Sequence, residues 1–255
     1  DWPSVLKRDP HRWRSAIEGS RGGPRVLIAT NCGGHIPSAH VETALAVALT
    51  LRGADVELLL CDSFLPACQM CEVGLFPDAA SFADDGPLGT LCGQCFDPAE
   101  PVYRALGLPL RTLGGLVGEA QREHARRVAE SLPISDIGRF EEHGVAIGEH
   151  AEAGALRFYA RGDFEGCENS DTVLRRFFEA ALLTASATRH LLRGGRFDVA
   201  CFNHGIYVPQ GLVGDVARHE GVRVVNWNPA SRTGCFIFSH GDTYHHTLLE
   251  ESVSE

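Results

Sequence analysis

The first apolar stretches of the chain follow a strand–helix–strand pattern. The run Arg25 to Thr30 (RVLIAT) is mainly apolar, which predicts a strand buried on both faces. A helix is predicted next, with Ser38 after Pro37 as its N-cap and apolar residues at helical spacing from Val41. The second strand is predicted over Asp55 to Leu60 (DVELLL). Such a unit implies parallel strands joined by a right-handed crossover.

The C-terminal third repeats this pattern. Phe197 to Phe202 and Val222 to Trp227 are predicted strands, and a helix from Pro209 to Glu220 between them ends at Gly221. Cys235 to Phe238 is predicted as a further strand. Helical spacing between the two halves predicts three long helices, at roughly 118–131, 141–160 and 170–193.

These elements predict an α/β fold with one open, mostly parallel sheet and helices on both faces. We expect one domain over residues 25–250, after an N-terminal extension of residues 1–24. Within it we expect a helical segment (118–194) and, after the second strand, a Cys-rich insert (62–101) that has neither periodicity. Ligands of open parallel sheets bind outside the carboxyl ends of the strands, so the loops there are expected to form the site.

Composition narrows the class of protein. The 255 residues are 44% hydrophobic and 22% charged, which excludes a disordered or collagen-like chain. The net charge of −10 gives no reason to expect nucleic-acid binding. The longest apolar run is too short for a membrane span and no signal peptide is recognisable, so we expect a cytoplasmic protein. Because the chain begins at Asp1 and has a single Met, we expect its natural start to lie upstream.

Nine cysteines indicate metal or redox chemistry, since no secretory leader supports a disulfide framework. The pairs Cys68/Cys71 and Cys92/Cys95 are separated by 20 residues, a spacing that lets four thiolates meet round one tetrahedral ion. We expect these four to hold a structural Zn²⁺, because a loop-rich insert usually needs a bound metal to order it. An iron–sulfur cluster uses the same ligands and stays open as the alternative, as does Cys61 in place of one ligand.

The other cysteines are interpreted more simply. Cys201 and Cys235 lie within predicted strands, where a buried Cys behaves as a small hydrophobic residue. Cys32 follows the first strand, and a nucleophilic role there requires an environment that lowers its pKa.

Polar candidates also follow the first strand. Gly33 and Gly34 lack the third glycine of a dinucleotide fingerprint, so NAD is not expected. They permit a tight turn and a close backbone approach to a sugar or phosphate at the N-terminus of the next helix. His35 and His40 flank the start of that helix, and an imidazole near its free pKa is a general base at neutral pH.

Further candidates lie at other loops of the same edge. His204 and Gly205 follow a predicted strand, and His240 opens a His-rich stretch near the C-terminus. Four arginines have charges that suit an anionic ligand: Arg25, Arg157, Arg161 and Arg232. Arg232 stands out among them, because it lies between two predicted strands.

Two stretches carry a family resemblance. VLIATNCGGHIPSAHVETALAVALTLRGADVELLLCD resembles the first Rossmann-like half of a GT-B glycosyltransferase. FDVACFNHGIYVPQGLVGDVARHEGVRVVNWNP, followed by FSHGDTYHH, is similar to proteins of bacterial capsular and surface polysaccharide biosynthesis. The resemblance covers roughly 25–62 and 197–246, under half of the chain. The Cys-rich insert is not part of the general GT-B pattern.

The resemblance implies the acceptor-binding domain of an enzyme that transfers a sugar from a nucleotide-sugar donor. It implies His35 as the base that deprotonates the acceptor hydroxyl, with His40 second. The remaining candidates would bind the sugar or glycoconjugate acceptor: Gly33, Gly34, His204, Gly205, Arg232 and His240. The donor would be bound by a C-terminal domain that is absent here or by a second chain, so we expect this chain to be inactive alone. GT-B enzymes generally need no catalytic metal, which agrees with a structural zinc.

Two other classes of function stay open. One is a metal-stapled α/β binding module without catalysis, which predicts ligand binding and no turnover. The other is a redox or iron–sulfur protein that uses the CxxC pairs, which predicts a visible absorption band.

Overall fold

The computed structural model describes residues 2–241, which form an α/β fold around a six-stranded sheet. The strands are β1 (Arg25–Asn31), β2 (Asp55–Leu60), β3 (Leu110–Thr112), β4 (Val199–Asn203), β5 (Arg223–Pro229) and β6 (Phe236–His240). The α-helices of this part are α1 (Trp2–Leu6), α2 (Pro10–Ser20), α3 (Ile36–Thr50), α4 (Ala79–Asp85), α5 (Gly93–Arg104), α6 (Glu119–Ser131), α7 (Ile134–Ile137), α8 (Ile147–Tyr159), α9 (Ser170–Gly195) and α10 (Gln210–His219). Short helical turns of other types cover Val73–Leu75, Leu88–Cys92 and Gly114–Leu116.

The sheet confirms the predicted mostly parallel architecture. Its strand order is β3-β2-β1-β4-β5-β6, the order of doubly wound nucleotide-binding sheets. The strands β1 to β5 pair in parallel, and β6 pairs antiparallel with β5 at the edge. Because β1 lies between β2 and β4, the chain reverses its direction of winding at β1. A crevice is expected outside the carboxyl ends of β1 and β4.

Helices cover both faces of the sheet, as predicted. Side chains alternate along β1, so Val26 and Ile28 pack with α2, α3 and α5. Leu27 and Ala29 face the opposite core, which α8, α9 and α10 complete. This double burial explains why β1 is a nearly continuous apolar run.

The predicted starts of two helices differ from the structure. Helix α3 begins at Ile36 with His35 as its N-cap residue, and Pro37 lies inside its first turn, where a missing N–H costs nothing. Ser38 is therefore not the N-cap. The helix predicted from residue 141 starts only at Ile147, because the backbone of His143 and Gly144 is left-handed (φ +54° and +79°).

The N-terminal residues pack on the rest of the fold. Trp13 of α2 is buried, and its indole Nε1 donates to the Leu106 carbonyl at 2.8 Å. The α1 and α2 helices were not predicted. In the part of the chain that is described, no helix is long and apolar enough to cross a membrane.

Residues 62–101 are not an irregular insert. They contain α4 and most of α5, and they form the crossover from β2 towards its parallel neighbour β3. Phe82 of α4 belongs to one core and Ala99 of α5 to the other, and both are buried, so the segment contributes to both cores. The helical period was obscured because α5 contains Pro98 and Pro101. The interpretation of Cys235 as a buried strand residue is also wrong, since it is exposed and precedes β6.

Candidate functional site

Two loops meet at the reversal point of the sheet. One follows β1 and runs from Cys32 to His35, and the other follows β4 and contains His204 and Gly205. Both His204 and Gly205 have positive φ (+69° and +82°), so the chain turns sharply as it leaves β4. The predicted residues of these two loops therefore lie on the same edge of the sheet.

Gly33 and Gly34 pack directly against helix α5. A Cβ atom on Gly33 would lie 2.3 Å from the Cβ of Ala99, and one on Gly34 would lie 3.0 Å from the Cα of Cys95. The peptide N–H of Gly34 donates to Cys95 Sγ at 3.1 Å. A close approach to α5 thus explains why both positions are glycine.

His35 is the histidine with the most specific surroundings at this edge. It is half-buried at the start of α3, and its Nδ1 hydrogen-bonds with the hydroxyl of buried Ser38. Burial and the nearby charge of Arg157 lower the pKa of His35 below its usual value. A general base requires a ring that is neutral at pH 7 and has a nitrogen available to accept a proton, which here would be Nε2.

His40 lies five residues further along α3 and is exposed. His35 is the N-cap residue before the helix, whereas His40 lies beyond the first helical turn. The structure therefore does not bring His40 together with His35.

A wide cavity lies beside the β4 loop. Its volume is about 690 Å³. The polar and aromatic side chains of its wall are Glu72, Arg157, Phe158, Arg161 and Tyr207. The His204 ring stacks on Tyr207 at 5.1 Å between centroids, and the Arg157 guanidinium lies 5.5 Å from the centre of the Tyr207 ring. His204 is thus connected to this cavity through Tyr207.

Arg157 is the charged centre of the cavity wall. Its Nη2 donates to Glu72 Oε1 at 2.8 Å. Its Nη1 is buried and has no hydrogen-bond partner within residues 2–241. A buried guanidinium N–H without a partner is costly, so it favours an acceptor atom brought by a ligand.

Three other candidates lie apart from this cavity. Arg232 is exposed in the turn between β5 and β6. His240 is exposed on the edge strand β6. It pairs with Val225 near the start of β5, so it lies away from the carboxyl end of that strand. The edge strand is three strands from β1, about 14 Å at the usual spacing. Arg25 starts β1 at the opposite edge and pairs with Glu57 at 2.7 Å.

Six cysteines converge beneath the loop that follows β1. We call Cys32, Cys61, Cys68, Cys71, Cys92 and Cys95 the cysteine cluster. All of them except Cys71 line a small cavity of about 20 Å³. Cys71 is fully buried and contacts Cys68.

Cys68 is the centre of the cluster. Its sulfur accepts hydrogen bonds from the thiols of Cys32 and Cys71, which hold the pKa of Cys68 well below its usual value although burial opposes this. The pKa of Cys32 is raised because its thiol donates to Cys68 and because it is buried. Burial raises the pKa of Cys61 to about 12.

The predicted four cysteines are therefore brought together with two more. Cys32 and Cys61 directly follow the neighbouring parallel strands β1 and β2, and that pairing is the signal that places them at one edge. Within the described range, no group of three or more His, Cys, Asp or Glu side chains is arranged as a metal shell.

One buried acid was missed by the sequence analysis. Glu42 of α3 is fully buried, and Trp227 Nε1 donates to its Oε1 at 3.0 Å. Burial raises the pKa of Glu42 to about 7, against hydrogen bonds from Thr30 and Trp227 that lower it. The one signal in the sequence is an acid within the apolar stretch of α3.

Comparison with known proteins identifies no family for this chain. No protein-family model matches it, and no curated protein matches it significantly. The chemistry of the two loops, the wide cavity and the cysteine cluster is therefore the basis for function.

Proposed function

We propose that this chain is the acceptor-binding, Rossmann-like half of a GT-B glycosyltransferase. It would pass a sugar from a nucleotide-sugar donor to a hydroxyl group in polysaccharide or glycoconjugate biosynthesis. The observation that carries the proposal is the wide cavity beside the β4 loop, where Arg157 and Tyr207 line the wall and the charge of Arg157 acts on His35.

The cavity wall has the chemistry that a saccharide requires. An aromatic face such as Tyr207 packs against the C–H face of a sugar ring, and the carboxylate of Glu72 accepts hydrogen bonds from hydroxyl groups. The guanidinium of Arg157 supplies N–H donors for a sugar oxygen or an acidic substituent. A volume of about 690 Å³ lies within the usual range of small-molecule sites.

His35 is the proposed base. In the proposed tautomer the Nδ1–H of His35 donates to the Ser38 hydroxyl, which leaves Nε2 without a hydrogen and able to take the proton of the acceptor hydroxyl. As that O–H bond breaks, the acceptor oxygen forms a bond to the anomeric carbon of the donor. The bond from that carbon to the nucleotide phosphate breaks, and its electron pair leaves with the phosphate.

The donor and the compartment complete the proposal. The nucleotide sugar would be bound by a further domain or a second chain, facing the edge that holds His35. All nine cysteines are free thiols, which is the pattern of proteins from a reducing compartment and supports a cytoplasmic location.

Saccharide binding by this chain is the direct test. Saturation-transfer NMR with a panel of neutral and acidic oligosaccharides should give signals that weaken at least tenfold in Tyr207→Ala and Arg157→Ala. Arg139→Ala is the matched control, because Arg139 is exposed and outside the cavity. Absence of binding across the panel, or binding equal in all four proteins, would overturn the proposal.

A transfer assay distinguishes a glycosyltransferase from a binding module that does not catalyse a reaction. With donor-binding partner and nucleotide sugar supplied, His35→Ala should still bind saccharide but lose transfer. A wild-type chain that binds saccharide and supports no transfer with any such partner would be a binding module.

A further inference from the structure

The cysteine cluster has a composition that the sugar-transfer proposal does not explain. It joins Cys32 after β1, Cys61 after β2, and both CxxC pairs of the β2–β3 crossover. Cys201 shows the contrast, because it is buried in β4 away from the cluster and packs as a small apolar residue.

We propose that the cysteine cluster binds a single zinc-type divalent cation, and that Cys32 is one of its ligands. The site would lie directly beneath the loop that follows β1. It therefore differs from a metal staple confined to the two CxxC pairs.

The number of thiols and the size of the cavity favour one ion. Five cysteine side chains line a cavity of about 20 Å³, which has room for about one water-sized sphere. A tetrahedral zinc site needs four sulfur ligands, so the cluster contains enough. The CxxC pairs each place two thiols on one turn, and Cys32 and Cys68 line the same small cavity.

Peptide N–H groups also face the sulfurs. Gly34 N–H donates to Cys95 Sγ at 3.1 Å, and Gly33 N–H faces the same sulfur. Further N–H groups of Phe64 and Leu65 face Cys61. A neutral thiol is a weak acceptor, whereas a metal-bound thiolate accepts such bonds well, so this environment suits ligated sulfur.

Positive charge compensates the thiolates. Four thiolates round a divalent ion leave a net charge of about −2. The guanidinium of Arg157 acts electrostatically on Cys68, so its positive charge offsets part of this negative charge. Metal binding would replace the S–H···S contacts among the thiols by metal–sulfur bonds, and the released protons would pass to solvent.

Metal analysis of the purified chain tests the proposal. After anaerobic purification and incubation with Zn²⁺, the desalted wild type should hold about one zinc per chain. Cys32→Ser and Cys68→Ser should bind at least tenfold less tightly in a titration with Co²⁺, followed by its thiolate absorption bands. Cys201→Ser is the control and should match the wild type.

A measurement on the wild type alone covers the case in which Cys32→Ser does not fold. Thiol alkylation at a fixed urea concentration, read by mass spectrometry, compares two buried cysteines, Cys32 and Cys201. Zinc should slow the modification of Cys32 at least tenfold more than that of Cys201.

Three results would overturn the proposal. One is no zinc in the wild type after reconstitution. Another is iron with sulfide and a broad visible band, which would make the cluster an iron–sulfur site. The third is full zinc binding by Cys32→Ser, or protection of Cys68 without Cys32, which would confine the site to the CxxC pairs. None of these results depends on whether the wide cavity binds saccharide.

Discussion

Trp227 Nε1 donates to Glu42 Oε1 at 3.0 Å, and this bond joins β5 to α3 through a fully buried carboxyl group. Burial raises the pKa of Glu42 to about 7 from a usual value of 4.5. The folded protein therefore binds a proton that the unfolded chain has released between these two pH values. The contribution of Glu42 to the free energy of unfolding is therefore largest below pH 4.5, and it decreases as the pH rises through about 7.

Glu42→Gln should remove this pH dependence. The amide keeps an oxygen that accepts from Trp227 and cannot ionise, so the variant should exceed the wild type in unfolding free energy above pH 7. The difference between a pKa of 4.5 and one of about 7 corresponds to about 3 kcal/mol as an upper value. Urea unfolding at pH 5 and pH 8 measures it. Glu149→Gln, on an exposed position of α8, should leave the difference between the two pH values unchanged.

Arg157→Ala should raise the pKa of His35. Burial is the larger cause of the depressed pKa and the charge of Arg157 is the second, so the variant removes part of the shift. An NMR titration of the His35 ring protons measures it, with Arg139→Ala as the control. An unchanged His35 pKa in Arg157→Ala would show that the guanidinium does not act on the ring.

The two histidines of α3 should differ in transfer activity. His35→Ala should lower sugar-transfer turnover by about 10²–10⁴ if its Nε2 takes the acceptor proton. His40→Ala should retain turnover within about twofold, because His40 is exposed and lies beyond the first turn of α3. Equal losses of turnover in both variants would contradict the assignment of His35 as the base.

Gly33→Ala should destabilise the fold by about 1–3 kcal/mol, because the new methyl group would overlap the side chain of Ala99 at 2.3 Å. Gly19→Ala is the matched control, since nothing lies within 4 Å of its Cβ position in α2. That variant should be neutral or up to about 1 kcal/mol more stable. Thermal unfolding of both variants gives the comparison, and equal melting temperatures would contradict close packing of the loop on α5.

The carboxylate of Asp215 should make the stability of the fold depend on pH in the acidic range. Although burial alone would raise its pKa, hydrogen bonds from His150 and the Ala146 N–H lower the pKa of Asp215 to about 2. Its stabilising effect is present above its usual value of 3.8 and is lost as the pH falls through about 2. Asp215→Asn should therefore lower stability by about 2 kcal/mol at pH 6 and by less at pH 2.5, as measured by urea unfolding.

The buried strands were predictable, whereas the short edge strand was not. β2 matches its predicted bounds, because a strand covered on both faces must be apolar almost throughout. β3 has three residues with Arg111 in the middle, and such an edge strand has no distinct periodicity. Its existence depends on pairing with β2, which local sequence does not encode.

The candidate site was predicted in part. The edge of the sheet and His35 followed from strand ends and residue chemistry. Arg157 was named with three other arginines but not preferred, because its place beside Tyr207 depends on how α8 packs near the β4 loop. The joining of Cys32 and Cys61 to the CxxC pairs likewise follows from strand pairing, since the four segments are far apart along the chain.

Arg157 is shared between the two proposed sites. Its charge acts on His35 and Cys68, and its guanidinium contacts Glu72, the residue that follows Cys71. A ligand that draws this guanidinium into the wide cavity changes the field at the cysteine cluster. Binding at the two sites is then thermodynamically linked: if the metal changes the affinity for the saccharide by some factor, the saccharide must change the affinity for the metal by the same factor.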